Sequence, residues 1–286
     1  MNKLKYFVQF ILIVLFFLIF KILGLKLASF ISGKFFQLIG PIFRSKKLIH
    51  SNIRKAFPDI DYNSLNKINK MMWNNYGRVF AEYVFIKDFR KGKLESKIEI
   101  EGKEVLEEII RCKSQAIFVS GHLSNFELMA LYLEKTGINL SAIYRPLNNI
   151  YLNKIMEKIR IKYIYKHQIK KGIGGMKRLI NLKKKNFSTA LMIDQRVSEG
   201  ILSDFFNNQA FTTTIPAQLV RKFDIPVVPV FIERIKGINF KITIQKPIKF
   251  SKKESVQSIT DKLNSTLEEL ILKKPENWIW SHNRWK

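Results

Sequence analysis

The sequence predicts an α/β protein with a mostly parallel central sheet flanked by helices and an N-terminal membrane-anchoring helix. Three observations support this fold class. A long apolar stretch opens the chain, predicted strands and helices alternate after it, and no internal repeat or low-complexity linker divides the 286 residues. Because alternating strands and helices pack as a sheet between helical layers, residues 26–286 are expected to form one α/β domain.

The first 25 residues are predicted to be a membrane anchor. From Tyr6 to Phe20 only Gln9 is polar, and the extended run gives about the twenty residues that a bilayer requires. A buried core helix is the alternative, but apolar side chains lie on all faces. The segment "FKILGLKLASF" offers a poor signal-peptide cleavage site, so an uncleaved anchor is favoured.

Basic residues flank this anchor more heavily on its C-terminal side, which predicts that the rest of the chain is cytoplasmic. Whether the helix spans the bilayer or lies in the interface stays open. Residues 24–56 form the basic amphipathic start of the domain, with a helix break expected near Gly40 and Pro41.

The remaining elements follow from hydrophobic periodicity. They are, in order, helix YNSLNKINKMMWNNYGRVFAEYVFI, strand KIEIEG, helix KEVLEEIIRCK, strand QAIFVS, helix SNFELMALYLEKTG, strand LSAIYR, helix NNIYLNKIMEKIRIK, weak strand IYKHQI, helix GGMKRLINLKKK, strand STALMI, loop and helix FTTTIPAQLVRKF, strands IPVVPVFIER and FKITIQKPIKF, and helix SVQSITDKLNSTLEELILKKP.

The chain is strongly basic, with 50 Lys and Arg against 23 Asp and Glu and a formal net charge of +27. This imbalance predicts attraction to polyanions such as nucleic acid, an anionic membrane or a phosphorylated substrate, although genome-wide base composition also enriches lysine. Cys112 is the single cysteine, which excludes an intramolecular disulfide and a cysteine-rich metal site.

The stretch "GHLSNFE", residues 121–127, follows a predicted buried strand. Functional groups gather at the carboxyl ends of strands in α/β sheets, so His122 is a candidate general base. Glu127, in the first turn of the next helix, is expected to hold the imidazole. In the alternative interpretation Ser124 and Glu127 form a capping box and His122 is an ordinary loop residue; the two interpretations are compatible.

Other common chemistries have little support. The remaining histidines are scattered and no H-E-x-x-H motif occurs, so zinc is disfavoured. No G-x-S-x-G motif or P-loop is present, and "GIGG" lacks the spacing of a dinucleotide fingerprint.

"SGHLSNFELM" resembles the His-x4-Asp/Glu block of glycerolipid acyltransferases, and in detail that of the late (lauroyl/myristoyl) acyltransferases of bacterial lipid A biosynthesis. Phe126 stands where tryptophan is usual in that family, and Asn207 and Asn208 where glycine is typical, so acyl-chain and acceptor preference are not carried over. Further blocks occur in the family's order: NIRKAFPDI, YRPLNN, MIDQR, DFFNNQAFTTTIPAQL and PENWIWSHNRWK.

The resemblance implies transfer of a fatty acyl group from acyl carrier protein to a hydroxyl of a lipid A precursor at the inner membrane. It implies that His122 deprotonates the acceptor and that Glu127 is its partner. Direct attack on the thioester needs no acyl-enzyme, metal or cofactor beyond the phosphopantetheine of the carrier protein. The alternatives are acylation of another glycolipid or phospholipid, and a non-enzymatic basic membrane or nucleic-acid binding protein.

Five residues of these blocks are candidate substrate-binding residues. Arg145 follows a strand end and could bind phosphate or the pantetheine arm, Arg160 resembles a family arginine by position, and Asp194 could position either arginine. Asn125 and Gln195 lie in the histidine and Asp-Gln blocks. The expected partners are acyl carrier protein, an anionic glycolipid acceptor and the cytoplasmic membrane, and no nucleic acid is expected.

Overall fold

A seven-stranded sheet lies at the centre of the protein. The computed structural model describes residues 2–286, apart from the side chains of residues 2 and 173. The helices are α1 Asn2–Phe43, α2 Lys46–Ala56, α3 Tyr62–Glu82, α4 Ile86–Arg90, α5 Lys103–Arg111, α6 Phe126–Lys135, α7 Ile150–Tyr163, α8 Ile173–Lys184, α9 Ile215–Phe223 and α10 Val256–Lys273. The strands are β1 Ile98–Glu101, β2 Ile117–Ser120, β3 Leu140–Tyr144, β4 His167–Lys170, β5 Ser188–Met192, β6 Ile201–Phe205, β7 Asn208–Thr212, β8 Val227–Lys236 and β9 Asn239–Ile244.

The strand order of the large sheet is β1-β9-β8-β2-β5-β3-β4. Strands β8, β2, β5, β3 and β4 run parallel, while β9 is antiparallel to β8 and pairs in parallel with β1. The predicted mostly parallel sheet is therefore confirmed. Ser120 pairs with Met192, so the carboxyl ends of β2 and β5 lie side by side.

Both faces of the sheet are covered, as its apolar central strands require. Successive residues of β2 point to opposite faces, so Phe118 joins the core on one side while Ile117 and Val119 join the core on the other. The second core contains α10 and the C-terminal tryptophans Trp278 and Trp280. The two tryptophans therefore share one core with Ile117 and Val119 of β2.

Helix α1 bends once, at Gly24, whose φ of 75° and ψ of 161° are not helical. Only glycine adopts such a conformation without a steric penalty. The break expected near Gly40 and Pro41 was wrong, because the helix continues to Phe43. Gly40 packs so closely on Trp73 of α3 that a Cβ there would lie 2.2 Å from the ring, and this packing holds the segment helical.

The predicted anchor, residues 1–25, ends at this bend; its first residue lies outside the described part. The segment Lys3–Phe43 is long and apolar enough to cross a membrane by length and composition. It is not isolated from the domain, since Asn149, the N-cap residue of α7, donates to the Tyr6 carbonyl at 2.8 Å. The ring of Phe20 contacts that of Phe80 in α3. One face of α1 therefore packs on the domain, while most of the large side chains that it leaves exposed are apolar.

The two-stranded hairpin β6–β7 was missed, because no strand was predicted from the sequence between residues 194 and 211. Its turn residues Phe206 and Asn207 both have a φ of 53°. Such hairpin turns are usually marked by glycine, which is absent here, and asparagine tolerates this conformation better than phenylalanine does. Glu268 of α10 accepts the Phe206 backbone N–H at 2.8 Å and so fixes a turn that the sequence does not signal.

Candidate active site

His122 and Asp194 form a hydrogen-bonded pair at the adjacent carboxyl ends of β2 and β5. The imidazole Nδ1–H donates to Asp194 Oδ1 at 2.8 Å. The second carboxylate oxygen accepts from the His122 backbone N–H at 2.8 Å and from Trp278 Nε1–H at 2.9 Å. These bonds fix the ring orientation and keep the proton on Nδ1, which leaves Nε2 as the basic atom.

The two side chains of the pair differ in their exposure to solvent. Asp194 is fully buried, while the His122 side chain keeps 21% exposure. The imidazole is therefore the part of the pair that a substrate can reach.

The loop between β2 and α6 is shaped to bring His122 onto Asp194. A Cβ on Gly121 would lie 3.0 Å from a methyl group of Leu267 and 3.4 Å from the Asp194 side chain, so glycine permits the close approach. Ser124 adopts a left-handed φ of 45° and donates its backbone N–H to the Asn277 carbonyl at 2.9 Å. The C-terminal segment thereby holds the loop from below.

Each partner shifts the other's pKa. Burial lowers the pKa of His122, but the Asp194 charge and hydrogen bond raise it by more, so it lies above the ordinary histidine value. Burial raises the pKa of Asp194, whereas His122 and the hydrogen bonds from the backbone and Trp278 lower it, with a net value of about 2. Asp194 is therefore ionised, and His122 is a stronger base than a free histidine.

The predicted hydrogen bond between His122 and Glu127 was wrong. Glu127 Oε1 instead accepts from Arg160 Nε–H at 2.9 Å and also from Nη2, and the carboxylate is nearly fully buried. Glu127 lies in the first turn of α6 and reaches Arg160 of α7, whereas Asp194, just past the end of β5, reaches the imidazole. Glu127 still acts through space, since its charge raises the pKa of His122 and that of Arg160 lowers it.

The capping box was also wrong. Helix α6 begins at Phe126 with Asn125 as its N-cap residue, and neither Ser124 nor Glu127 makes the bonds of such a box. Within the described residues the buried Ser124 hydroxyl has no hydrogen-bond partner.

Asn125 faces away from open solvent. It is 1% exposed, and its Nδ2–H donates to Glu82 Oε2 at 2.9 Å. Glu82 is itself fully buried and also accepts from Ser29 of α1 and Arg234 of β8. Asn125 therefore ties the start of α6 to α1, α3 and β8 through this carboxylate.

Arg145 and Gln195 lie at the carboxyl ends of β3 and β5. Arg145 is exposed and, among the described residues, forms no ion pair with a carboxylate. Gln195 is half-buried beside Asp194. The expectation that Asp194 positions an arginine was wrong, because its carboxylate is occupied by His122 and Trp278.

Sequence reasoning missed the contribution of the C-terminal segment. Trp278 and Trp280 of this segment are buried in the core. His282 Nε2 accepts the Arg196 backbone N–H at 3.0 Å, so the segment also holds the loop after Asp194. The aromatic and basic composition of "PENWIWSHNRWK" marks this segment in the sequence, but composition does not show which residues it packs against.

In the described part of the chain, no three His, Cys, Asp or Glu side chains come together as metal ligands. The site consists of an accessible imidazole hydrogen-bonded to a buried carboxylate. It lies at the carboxyl ends of parallel strands, where α/β proteins bind their ligands. An accessible imidazole backed by a buried carboxylate is an arrangement that can act as a general base toward a hydroxyl.

The chain belongs to the bacterial lipid A biosynthesis acyltransferase family, whose sequence model matches residues 1–286. The protein is therefore an acyltransferase. It is also similar to a solved structure, the 1-acyl-sn-glycerophosphate (LPA) acyltransferase PlsC from Thermotoga maritima, over 94% of this chain and 99% of that chain, with 16% sequence identity and a TM-score of 0.40. No curated protein matches the chain.

Proposed function

We propose that the protein transfers a fatty acyl chain from acyl carrier protein to a hydroxyl of a lipid A precursor. The observation that carries this proposal is the His122–Asp194 pair, with its accessible imidazole, in a chain of the lipid A acyltransferase family. An acceptor hydroxyl is a weak nucleophile at neutral pH, and a base whose pKa lies above that of free histidine suits its activation.

In the proposed mechanism His122 Nε2 takes the proton of the acceptor hydroxyl as its oxygen attacks the thioester carbonyl. Asp194 is a positioning residue that holds Nδ1–H and stabilises the imidazolium. The tetrahedral intermediate collapses to the new ester, and the departing pantetheine thiolate takes the proton back from His122. The carbonyl carbon exchanges its C–S bond for a C–O bond, so no acyl-enzyme, metal or further cofactor is required.

The Glu127–Arg160 ion pair is proposed to tune and position this site. Both side chains are largely buried, at 5% and 14% exposure, and both charges influence His122. Arg145 is proposed to bind a phosphate or the pantetheine arm, and Gln195 is proposed to contact substrate beside the pair. Asn125 is proposed to act indirectly, by fixing the loop through Glu82 rather than by contacting substrate.

The protein is proposed to work at the cytoplasmic face of the inner membrane. The exposed apolar face of α1 supports insertion into lipid, and the basic residues that follow it favour the cytoplasmic side. An acidic carrier protein and an anionic glycolipid both complement the net charge of +27. Nucleic acid is not proposed as a partner.

The test is incubation of the purified full-length protein with acyl carrier protein thioester and a lipid A precursor, followed by mass spectrometry of the lipid. The expected product is the precursor plus one acyl chain, absent with His122→Ala. A lysophospholipid or another glycolipid supplied in competition reports the acceptor class. Acylation of only that competitor, or no acylation of any lipid, contradicts the proposal.

A further inference from the structure

A groove of about 760 Å³ opens beside α2, and it does not include His122 or Asp194. Its volume lies within the range of small-molecule sites, roughly 300–1,000 Å³. We call it the α2 groove. Four basic side chains of α2 and the turn between β6 and β7 form most of its wall: Lys46, Lys47, Arg54, Lys55, Phe206 and Asn207.

The positive charge of the α2 groove is uncompensated. Helix α2 contains no acidic residue, and in the described part of the chain none of its four cations pairs with a carboxylate. Lys55 donates only to the neutral Asn208 amide oxygen, at 2.8 Å. Burial lowers the pKa of His50 in the same wall, and the charges of Lys46 and Arg54 lower it further. Neighbouring cations without a counter-charge repel one another, and a bound anion would relieve that repulsion.

The groove opens where an apolar surface becomes basic. The last turns of α1 expose Leu38, Ile42 and Phe43 at 79%, 81% and 66%. Arg44 follows them at once, and α2 begins two residues later. An exposed apolar end followed immediately by cations is typical of the boundary between lipid chains and headgroups. With α1 inserted in a membrane, the groove lies at the level of lipid headgroups.

The opposite face of α2 is tied to the catalytic pair. Asn52 Nδ2 donates to the carbonyls of Trp280 and His282, both at 2.8 Å. Trp278, in the same short segment, donates to Asp194. The groove and the pair are therefore held in a fixed relation by buried hydrogen bonds rather than by a flexible loop.

We propose that the α2 groove binds a phosphate of the acceptor glycolipid headgroup while His122 receives the acceptor hydroxyl. The acceptor's identity rests on the proposed function, whereas the anion specificity of the groove rests on its own residues. A headgroup phosphate carries the charge that the lining lacks, and its oxygens form charge-assisted hydrogen bonds with lysine and arginine. A concave site at headgroup level suits a lipid phosphate better than the convex surface of an acidic carrier protein.

The experiment replaces the three exposed groove cations together, in the variant Lys46→Gln/Lys47→Gln/Arg54→Gln. A matched control, Lys177→Gln/Lys184→Gln/Lys185→Gln, removes the same charge from exposed positions of α8 and its C-cap residue. Binding of a phosphorylated lipid A precursor and of its dephosphorylated form is measured in micelles on the His122→Ala background, so the result does not depend on turnover. KM values for the acceptor and for the acyl carrier protein thioester are measured separately, on proteins that retain His122.

We expect the groove variant to bind the phosphorylated precursor about tenfold or more weakly, as loss of charged hydrogen bonds implies. Its affinity for the dephosphorylated form and its KM for the carrier protein thioester should stay unchanged, and the α8 control should match the parent. Thermal unfolding checks the fold, and Lys47→Gln alone gives a smaller effect of the same sign should the triple variant be unstable.

The proposal would be overturned by unchanged binding of the phosphorylated precursor, by an equal loss for both forms, or by an equal loss in the α8 control. A KM increase confined to the carrier protein thioester would also overturn it and assign the groove to carrier protein. If the parent shows no acyl transfer but the binding difference persists, the proposed reaction fails and the phosphate site stands.

Discussion

At the scale of single residues, the site depends on which carboxylate meets His122. Asp194 has no solvent exposure and accepts three hydrogen bonds, from the imidazole, the His122 backbone and Trp278. Glu127 is much closer to His122 in the sequence, but its carboxylate forms an ion pair with Arg160. Substitution of Asp194 is therefore expected to reduce activity, whereas substitution of Glu127 is expected to reduce stability.

Replacing Asp194 by Asn should leave the protein folded and reduce kcat by about 10²–10⁴-fold, because the imidazolium loses its counter-charge. The pH profile should move as well. The base acts when neutral, so activity of the parent rises with pH through a His122 pKa above 6.5. Without Asp194 the burial of His122 dominates and lowers that pKa, so the acid limb should shift to lower pH. An unchanged kcat/KM profile from pH 5 to 9 would contradict this.

Glu127→Gln should act mainly on stability. It leaves the Arg160 charge without its partner in a largely buried site, which costs about 3–5 kcal/mol in comparable pairs. Arg160→Met should destabilise similarly, and the double variant by clearly less than the sum of the two. Chemical denaturation of all four proteins measures the coupling. Full additivity would show that the pair is not an energetic unit.

At the scale of elements, α1 and α3 pack through small residues. A Cβ added at Gly77 of α3 would lie 2.2 Å from the Ser32 carbonyl oxygen of α1. The Ser32 hydroxyl donates to the Gly77 carbonyl at 2.6 Å, which adds a bond across the same contact. This junction also positions Glu82, at the end of α3, beneath Asn125.

Gly77→Ala should therefore destabilise the protein by about 1–3 kcal/mol through overpacking, although alanine favours helix. Gly174→Ala in α8 is the matched control, since its Cβ would meet nothing within 4 Å. We expect that control to be neutral or slightly stabilising. Thermal unfolding of both variants in one detergent makes the comparison, and equal melting temperatures would argue against a tight α1–α3 contact.

At the scale of the whole molecule, α1 joins a largely apolar exposed surface to the α/β domain. Most of its exposed large side chains are apolar, although Lys21, Lys26 and Lys34 are exposed among them. Tyr6, Phe20 and Ser29 are nevertheless held by the domain. The helix is therefore a part of the fold as well as a candidate anchor.

Deleting residues 1–23, up to the bend at Gly24, should release much of the protein from membranes, with basic surface elsewhere retaining some of it. The released protein should also be less stable, because the deletion removes Phe20 from the hydrophobic core. Cell fractionation and thermal unfolding test both effects. Recovery of the intact full-length protein in the soluble fraction would refute the anchor.

The sequence by itself determined the order of helices and strands, the α/β class and the position of His122 at a strand end, because these follow from periodicity along the chain. It also showed the apolar N-terminal stretch and an ordered set of family motifs. It did not reveal the β6–β7 hairpin, whose turn lacks glycine and is held by Glu268 of a distant helix.

Only the tertiary structure decided which carboxylate serves His122. Residues 122 and 194 are far apart in sequence, and they meet because β2 and β5 are neighbours with Ser120 opposite Met192. Sequence proximity favoured Glu127, but the direction of α6 carries that side chain to Arg160. Strand order and register depend on packing of the whole sheet, so periodicity along the chain does not encode this pairing locally.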